Sequence, residues 1–211
     1  MNNLLSKAVG VFISASLLGG CSQAPQTNSS AVGERFISSF GELISKPSVD
    51  FQAASSPEVL AASADHVFTA TVLEATGTRK WVSKSLNMTL RHTTVLKVRI
   101  QEVLDGAQEV GDVVFVEVLF STAKSLRELS DLLRERNVGV FATNARFEIS
   151  ADRIEQDFKL PPDAQLLSAL GPQGFVVEVP GANEILWPVL MDAETGQLKD
   201  AMPGGNAIPS E

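Results

Sequence analysis

Few residues in this chain are of a type that does chemistry. There is one cysteine, Cys21, and there are two histidines and no tyrosine. Cys21 closes the run Leu18-Gly19-Gly20-Cys21, directly after an apolar stretch. Small residues before a cut let a chain lie extended in a peptidase cleft, and the thiol behind them is a nucleophile that can take up a group covalently. With no second cysteine it has no intramolecular disulfide partner. His66 and His92 lack metal-ligand spacing, and zinc needs three or four converging N, S or O ligands, so no metal is expected. Asp192, Glu194 and Asp200 miss the calcium-loop pattern, and a hairpin turn accounts for them. There is no Gly-x-Ser-x-Gly elbow, phosphate-binding loop or dinucleotide fingerprint, and no carboxylate pair stands out for glycoside hydrolysis. No catalytic residue is therefore assigned, and the chain is not expected to be an enzyme.

The elements around Cys21 give its chemistry a context. Lys7 is the only charged side chain before it, and residues 8–18 form an apolar core. A secretory signal needs a core of roughly 7–15 residues, whereas a membrane-spanning helix needs about 20. Leu18-Gly19-Gly20-Cys21 resembles the lipobox of bacterial lipoproteins, with Gly19 where Ala or Ser is usual. The resemblance implies cleavage between Gly20 and Cys21, then a diacylglyceryl group on the thiol and an N-acyl chain on the new amino terminus. It implies no other cofactor. The membrane becomes a partner through the lipid anchor. The expected place is extracytoplasmic: the periplasmic face of the outer membrane in a two-membraned cell, otherwise the outer face of the cell membrane.

Loss of residues 1–20 leaves 191 residues with a formal charge of −9. That acidity argues against nucleic acid, whose phosphates need a basic face. It also weakens adhesion to anionic headgroups, so acyl chains must supply the membrane contact, two or more for stable anchoring. Without disulfides the exported body depends on its own core, and 44% apolar residues suffice for one at this size.

The sequence divides into five parts. Residues 1–20 are the cleaved signal. Residues 21–33 are the lipidated cysteine and an uncharged tether, whose 12 residues after Cys21 reach about 40 Å when extended. Residues 34–55 hold an amphipathic helix (Phe36, Ile37, Phe40, Leu43, Ile44 on one face) and a linker; the helix is expected to pack on the body. Residues 56–200 are the folded domain, opening at Ser56-Pro57-Glu58, a capped helix start. Strands are expected at 66–75, 81–90, 93–104, 113–120, 138–147 and 174–179. Residues 185–191 and a short strand after Gly196 should form a hairpin turning at 192–196. Leu126, Leu129, Leu132 and Leu133 mark a helix capped by Ser125. Residues 201–211 read as a disordered tail.

Three strands, a helix and then further strands make a mainly β, α+β fold. The order resembles a small OB-like β-barrel, in which a helix lies between strands three and four. Ala64-Asp65-x-Val67-Phe68, Lys97-Val98, Glu102-Val103-Leu104-Asp105-Gly106, Gly111-Asp112-x-Val114-x-Val116, Gly139-Val140-Phe141 and Gly171-Pro172-Gln173-Gly174-Phe175 recur in that order. Over about residues 60–180 they are similar to small exported bacterial domains of the OB or netrin-like kind, which implies fold rather than activity.

Charge is segregated along the strands. From Thr76 to Gln101 every charge is positive, and from Glu102 to Glu117 every charge is negative. If the strand at 93–104 pairs with that at 113–120, outward side chains of opposite sign would meet. The functional alternative is a basic loop, Arg79, Lys80, Trp81 and Lys84, that meets an acidic envelope protein or polymer. The expectation is a lipid-anchored, non-catalytic binding or assembly module. The alternatives are a small anchored hydrolase or a netrin-like protease inhibitor. Inhibitors of that kind use a free N-terminal cysteine and disulfides, a mechanism that an acylated Cys21 does not support.

Overall fold

A computed structural model describes residues 29–45, 51–83, 85–122, 124–144 and 153–209. Gly20, Cys21, tether residues 22–28 and Lys84 lie outside the described residues.

Helix α1 (Ser29–Leu43) is followed by β1 (Ile44–Ser45), α2 (Pro57–Ala61), β2 (His66–Ser83), β3 (Met88–Asp105), β4 (Val113–Val118) and β5 (Ser121–Thr122). Then come α3 (Leu126–Leu133), β6 (Asn137–Asn144), β7 (Arg153–Gln156), β8 (Leu166–Ala169), β9 (Phe175–Glu178), β10 (Glu184–Trp187), β11 (Asp192–Thr195) and a 3-10 turn at Leu198–Ala201. The two capped helix starts form as the sequence implies. Ser56 Oγ accepts from Val59 N, and Ser125 Oγ accepts from Glu128 N, both at 3.3 Å.

The main sheet runs β11-β10-β9-β6-β8-β4-β3-β2-β7, and β6 also pairs with β2. That last pairing closes β2-β3-β4-β8-β6 into a five-stranded barrel. Its neighbours are antiparallel except β4 and β8, which are parallel. With α3 between the third and fourth barrel strands, this is a small OB-like barrel.

Side-chain alternation fills it. Phe68, Ala70 and Val72 on β2, Leu96, Val98 and Ile100 on β3, and Val114, Val116 and Val118 on β4 all belong to one buried cluster. Helix α1 packs on the body through Phe36 and Phe40, and the Phe40 ring meets Phe120 edge-on at 5.5 Å. Outside the barrel, β9–β11 extend the sheet and bury Val176, Ile185 and Trp187 against Leu198 and Ala201 of the 3-10 turn.

Several expectations are corrected. Helix α1 begins at Ser29, five residues before the expected helix region, so its first turns fall in the stretch read as tether. Strand β2 does not stop at Ala75. It runs to Ser83, because bulges at 72–74 and 75–77 absorb Gly77 without ending the pairing with β3. The separate strand expected at 81–90 is instead the end of this hairpin: 81–83 finish β2, 85–87 turn with Asn87 at φ 48°, and 88–90 begin β3. The late hairpin turns at 188–191, with Met191 in the left-handed region (φ 54°), and residues 192–195 are strand. Lys199 and Asp200 belong to the 3-10 turn, not to a strand. The segment read as a loose tail is packed as far as it is described: Met202 and Ala207 are buried, and the Pro209 carbonyl accepts from Gln173 Nε2 at 2.8 Å.

Candidate functional site

Of the residues read as a basic partner-binding loop, Arg79, Lys80 and Trp81 are in β2, and two of these point into a buried network. On β4, Val114, Val116 and Val118 face the barrel interior, so Phe115 and Glu117 face the opposite side of the sheet. Glu117 is nevertheless only 1% exposed. Arg79 Nη1 donates to its Oε2 at 2.6 Å, while Trp81 Nε1 and Thr93 Oγ1 donate to its Oε1 at 3.2 and 2.5 Å. The Arg79 guanidinium also stacks over the Trp81 ring, 5.2 Å from its centroid, which adds a cation–π contact. One carboxylate on β4 thus gathers three donors from two strands, β2 and β3.

Arg91, opposite Trp81 in the register, belongs to the same environment. Burial lowers its pKa, Glu117 works against that shift, and Arg79 adds to it. Lys80 lies on the other face of β2 and is exposed. Across the hairpin, His92 is held below its ordinary range by burial and by Lys80, against the pull of Asp157. Asp157 itself accepts from Thr78 N at 2.6 Å and from Thr78 Oγ1 at 2.9 Å, fixing the segment after β7 to the hairpin.

The segregated charges are therefore reconciled in a way the sequence did not suggest. Strands β3 and β4 pair as expected, but Lys97 bonds Glu74 on β2 at 3.4 Å, and Glu117 is claimed by Arg79. Of the four loop residues, Arg79 and Trp81 are committed internally, Lys80 is exposed, and Lys84 is outside the described residues. His66 is buried, with Nε2 3.1 Å from Asn144 Oδ1. Among the described residues no group of three His, Cys, Asp or Glu side chains is placed to hold a metal.

A second surface was not singled out from the sequence. On the outer face where β3, β2, β6 and β9 lie side by side, Gln101 Nε2 donates to Thr71 Oγ1 at 3.1 Å. Thr71 Oγ1 donates to Asn137 Oδ1 at 3.5 Å, and Asn137 Nδ2 donates to Glu178 Oε2 at 2.7 Å. This row of side chains crosses four strands and floors a groove of about 440 Å³, walled by Gln197, Leu198 and Lys199. Gly139 sets how closely the wall approaches: a Cβ there would lie 2.5 Å from Met202 Sδ and 2.7 Å from Val176 Cγ1. Asp200 Oδ2 accepts from Gln197 N at 2.8 Å and holds the turn that carries the wall. The only sequence signal was that Thr69 and Thr71 alternate with Phe68, Ala70 and Val72.

Comparison with family models, curated proteins and solved structures finds no match.

Proposed function

We propose that this protein is a lipid-anchored bacterial cell-envelope lipoprotein that acts as a non-catalytic binding or assembly module. The groove over β2 carries the reading. Ligand sites are concave and largely pre-formed, commonly roughly 300–1,000 Å³, with a few oriented polar groups. The groove is of that size, and its floor side chains are hydrogen-bonded to one another.

The Arg79–Glu117 network does not carry the reading, since its donors hold the hairpin rather than a ligand. The anchor rests on Leu18-Gly19-Gly20-Cys21. Acylation would hold the barrel at a membrane surface, with the segment between Cys21 and α1 as the link. The acidic balance of the chain favours an envelope protein or polymer over nucleic acid as partner.

A photo-cross-linking residue at Gln101, in the full-length protein in its own membrane, tests the binding role. Adducts to one recurring envelope component support it. The same residue placed at Arg127, on α3, should give none of that adduct. Equal yields at both positions, or none at Gln101 with several reagents, would contradict it.

A further inference from the structure

We infer that the groove over β2 binds a neutral, hydroxyl-rich glycan chain, read by side chains alone. This deepens the binding-module reading and rests on it for the existence of a ligand.

The argument begins with what the floor can offer. Strand β2 is hydrogen-bonded to β3 on one side and β6 on the other, and β6 is bonded in turn to β9. Their backbone groups are spent in the sheet, so a peptide cannot be held here by strand addition, the usual way a sheet captures an extended chain. Recognition falls to Thr71, Gln101 and Asn137 on the floor and Gln197 on the wall. Hydroxyls and carboxamides each donate and accept. That two-way capacity matches vicinal sugar hydroxyls, which also do both. It is a poor match for a phosphate, which only accepts, and for an ammonium, which only donates.

Charge points the same way. Glu178 and Lys199 line the groove with opposite signs, so their fields cancel at a distance and favour neither anion nor cation. Leu198, 9% exposed at the edge of the buried cluster beyond, lines the groove and offers a small apolar contact to the C–H face of a sugar ring. The site is also pre-organised. The floor ladder spans four strands, and the wall is seated against Gly139 by Met202 and Leu198. Binding therefore orders few additional rotamers.

The test uses the folded protein, from Ser22 onward, with soluble tetrasaccharides of N-acetylglucosamine, glucose or cellobiose units, and a neutral tetrapeptide as a comparison. Binding is read from amide chemical shifts. The inference predicts that at least one oligosaccharide binds with a dissociation constant on the order of 1 mM or tighter, and that the shifts centre on Thr71, Asn137 and Gln197. The variant Thr71→Val with Asn137→Ala should weaken binding roughly tenfold or more, since each loses a bond to the ligand. Arg127→Ala should bind as the parent does. These substitutions are on the solvent face, and unchanged far-ultraviolet circular dichroism would show that the variants fold. Binding of the peptide alone, binding of no oligosaccharide, or binding untouched by the double substitution would overturn the inference. Failure with every oligosaccharide alongside retained Gln101 cross-links to a protein would overturn the glycan and leave the binding module standing.

Discussion

Arg79 and Glu117 are 38 residues apart in sequence and meet at 2.6 Å, with side-chain exposures of 9% and 0%. A desolvated pair of this kind need not stabilise a fold relative to well-packed apolar residues, but breaking one half leaves a buried, uncompensated charge. Here the carboxylate serves Trp81 and Thr93 as well, so its loss strips three donors together.

Glu117→Ala should therefore destabilise the protein by about 3–5 kcal/mol in urea denaturation. Glu117→Gln should cost less, because an acceptor remains for Trp81 and Thr93. Arg79→Met should cost less in the Glu117→Gln background than in the parent, a positive coupling in a double-mutant cycle. Additive costs would show that the pair does not act as a unit.

How much of this was legible in the sequence differs from element to element. The caps Ser56 and Ser125 and the helical face of Phe36, Ile37, Phe40 and Leu43 are local signals, and the structure carries them through, although Ile44, read with that face, falls in β1. The extension of β2 was not legible, since Gly77 and the basic residues after it carry no β-pattern, and their place is set by pairing with β3 and β7. Glu117 was misjudged for a related reason. Alternation correctly puts it on the outer face, but burial there depends on Arg79 and Trp81 arriving from two strands away. The tail from Met202 to Pro209 looks like linker by composition, and its order comes from contacts with Gly139 and Gln173.

Gln173 fastens both ends of the folded body. Its Oε1 accepts from Ala54 N at 2.8 Å, and its Nε2 donates to the carbonyls of Ala54 and Pro209 at 3.3 and 2.8 Å. Gln173→Ala leaves those backbone groups unsatisfied and should cost about 1–3 kcal/mol. Amide exchange should accelerate first at Ala54. Slow exchange there in the variant would show that the segment is held by other contacts.

Glu58 ties the tail to α2 by accepting from Gly204 N at 2.8 Å, and that bond comes first among those holding its carboxyl below its ordinary 4.5. A depressed carboxylate contributes stability that is present above its unfolded pKa and is lost as pH falls through its folded pKa. Gly204 should exchange slowly near neutral pH and faster as pH drops below 4.5, once intrinsic exchange is divided out. In Glu58→Gln that pH step should vanish. A step that persists would assign it to another group.

Gly77 gives the Phe158 side chain room to approach β2. A Cβ at Gly77 would stand 2.5 Å from Phe158 Cδ1, 2.8 Å from its Cβ and 2.6 Å from Asp157 Oδ1. Gly77→Ala should push Phe158 away, weaken the Asp157–Thr78 latch and open the chain around Lys159 to trypsin under native conditions. Cleavage there at the parent rate would mean that the segment accommodates the methyl group.

The central claim is that a barrel with a pre-formed groove is held at a membrane by lipid on Cys21. Its most direct measurement is the mass of the N-terminal peptide of the full-length protein purified from its native membrane, beside Cys21→Ala. The account predicts that the parent begins at Cys21, carries a diacylglyceryl mass with or without a further acyl chain, and stays with the membrane fraction. It predicts that Cys21→Ala retains its first 20 residues or leaves that fraction. An unmodified Cys21 thiol in the mature protein, or normal processing and membrane retention of Cys21→Ala, would contradict it.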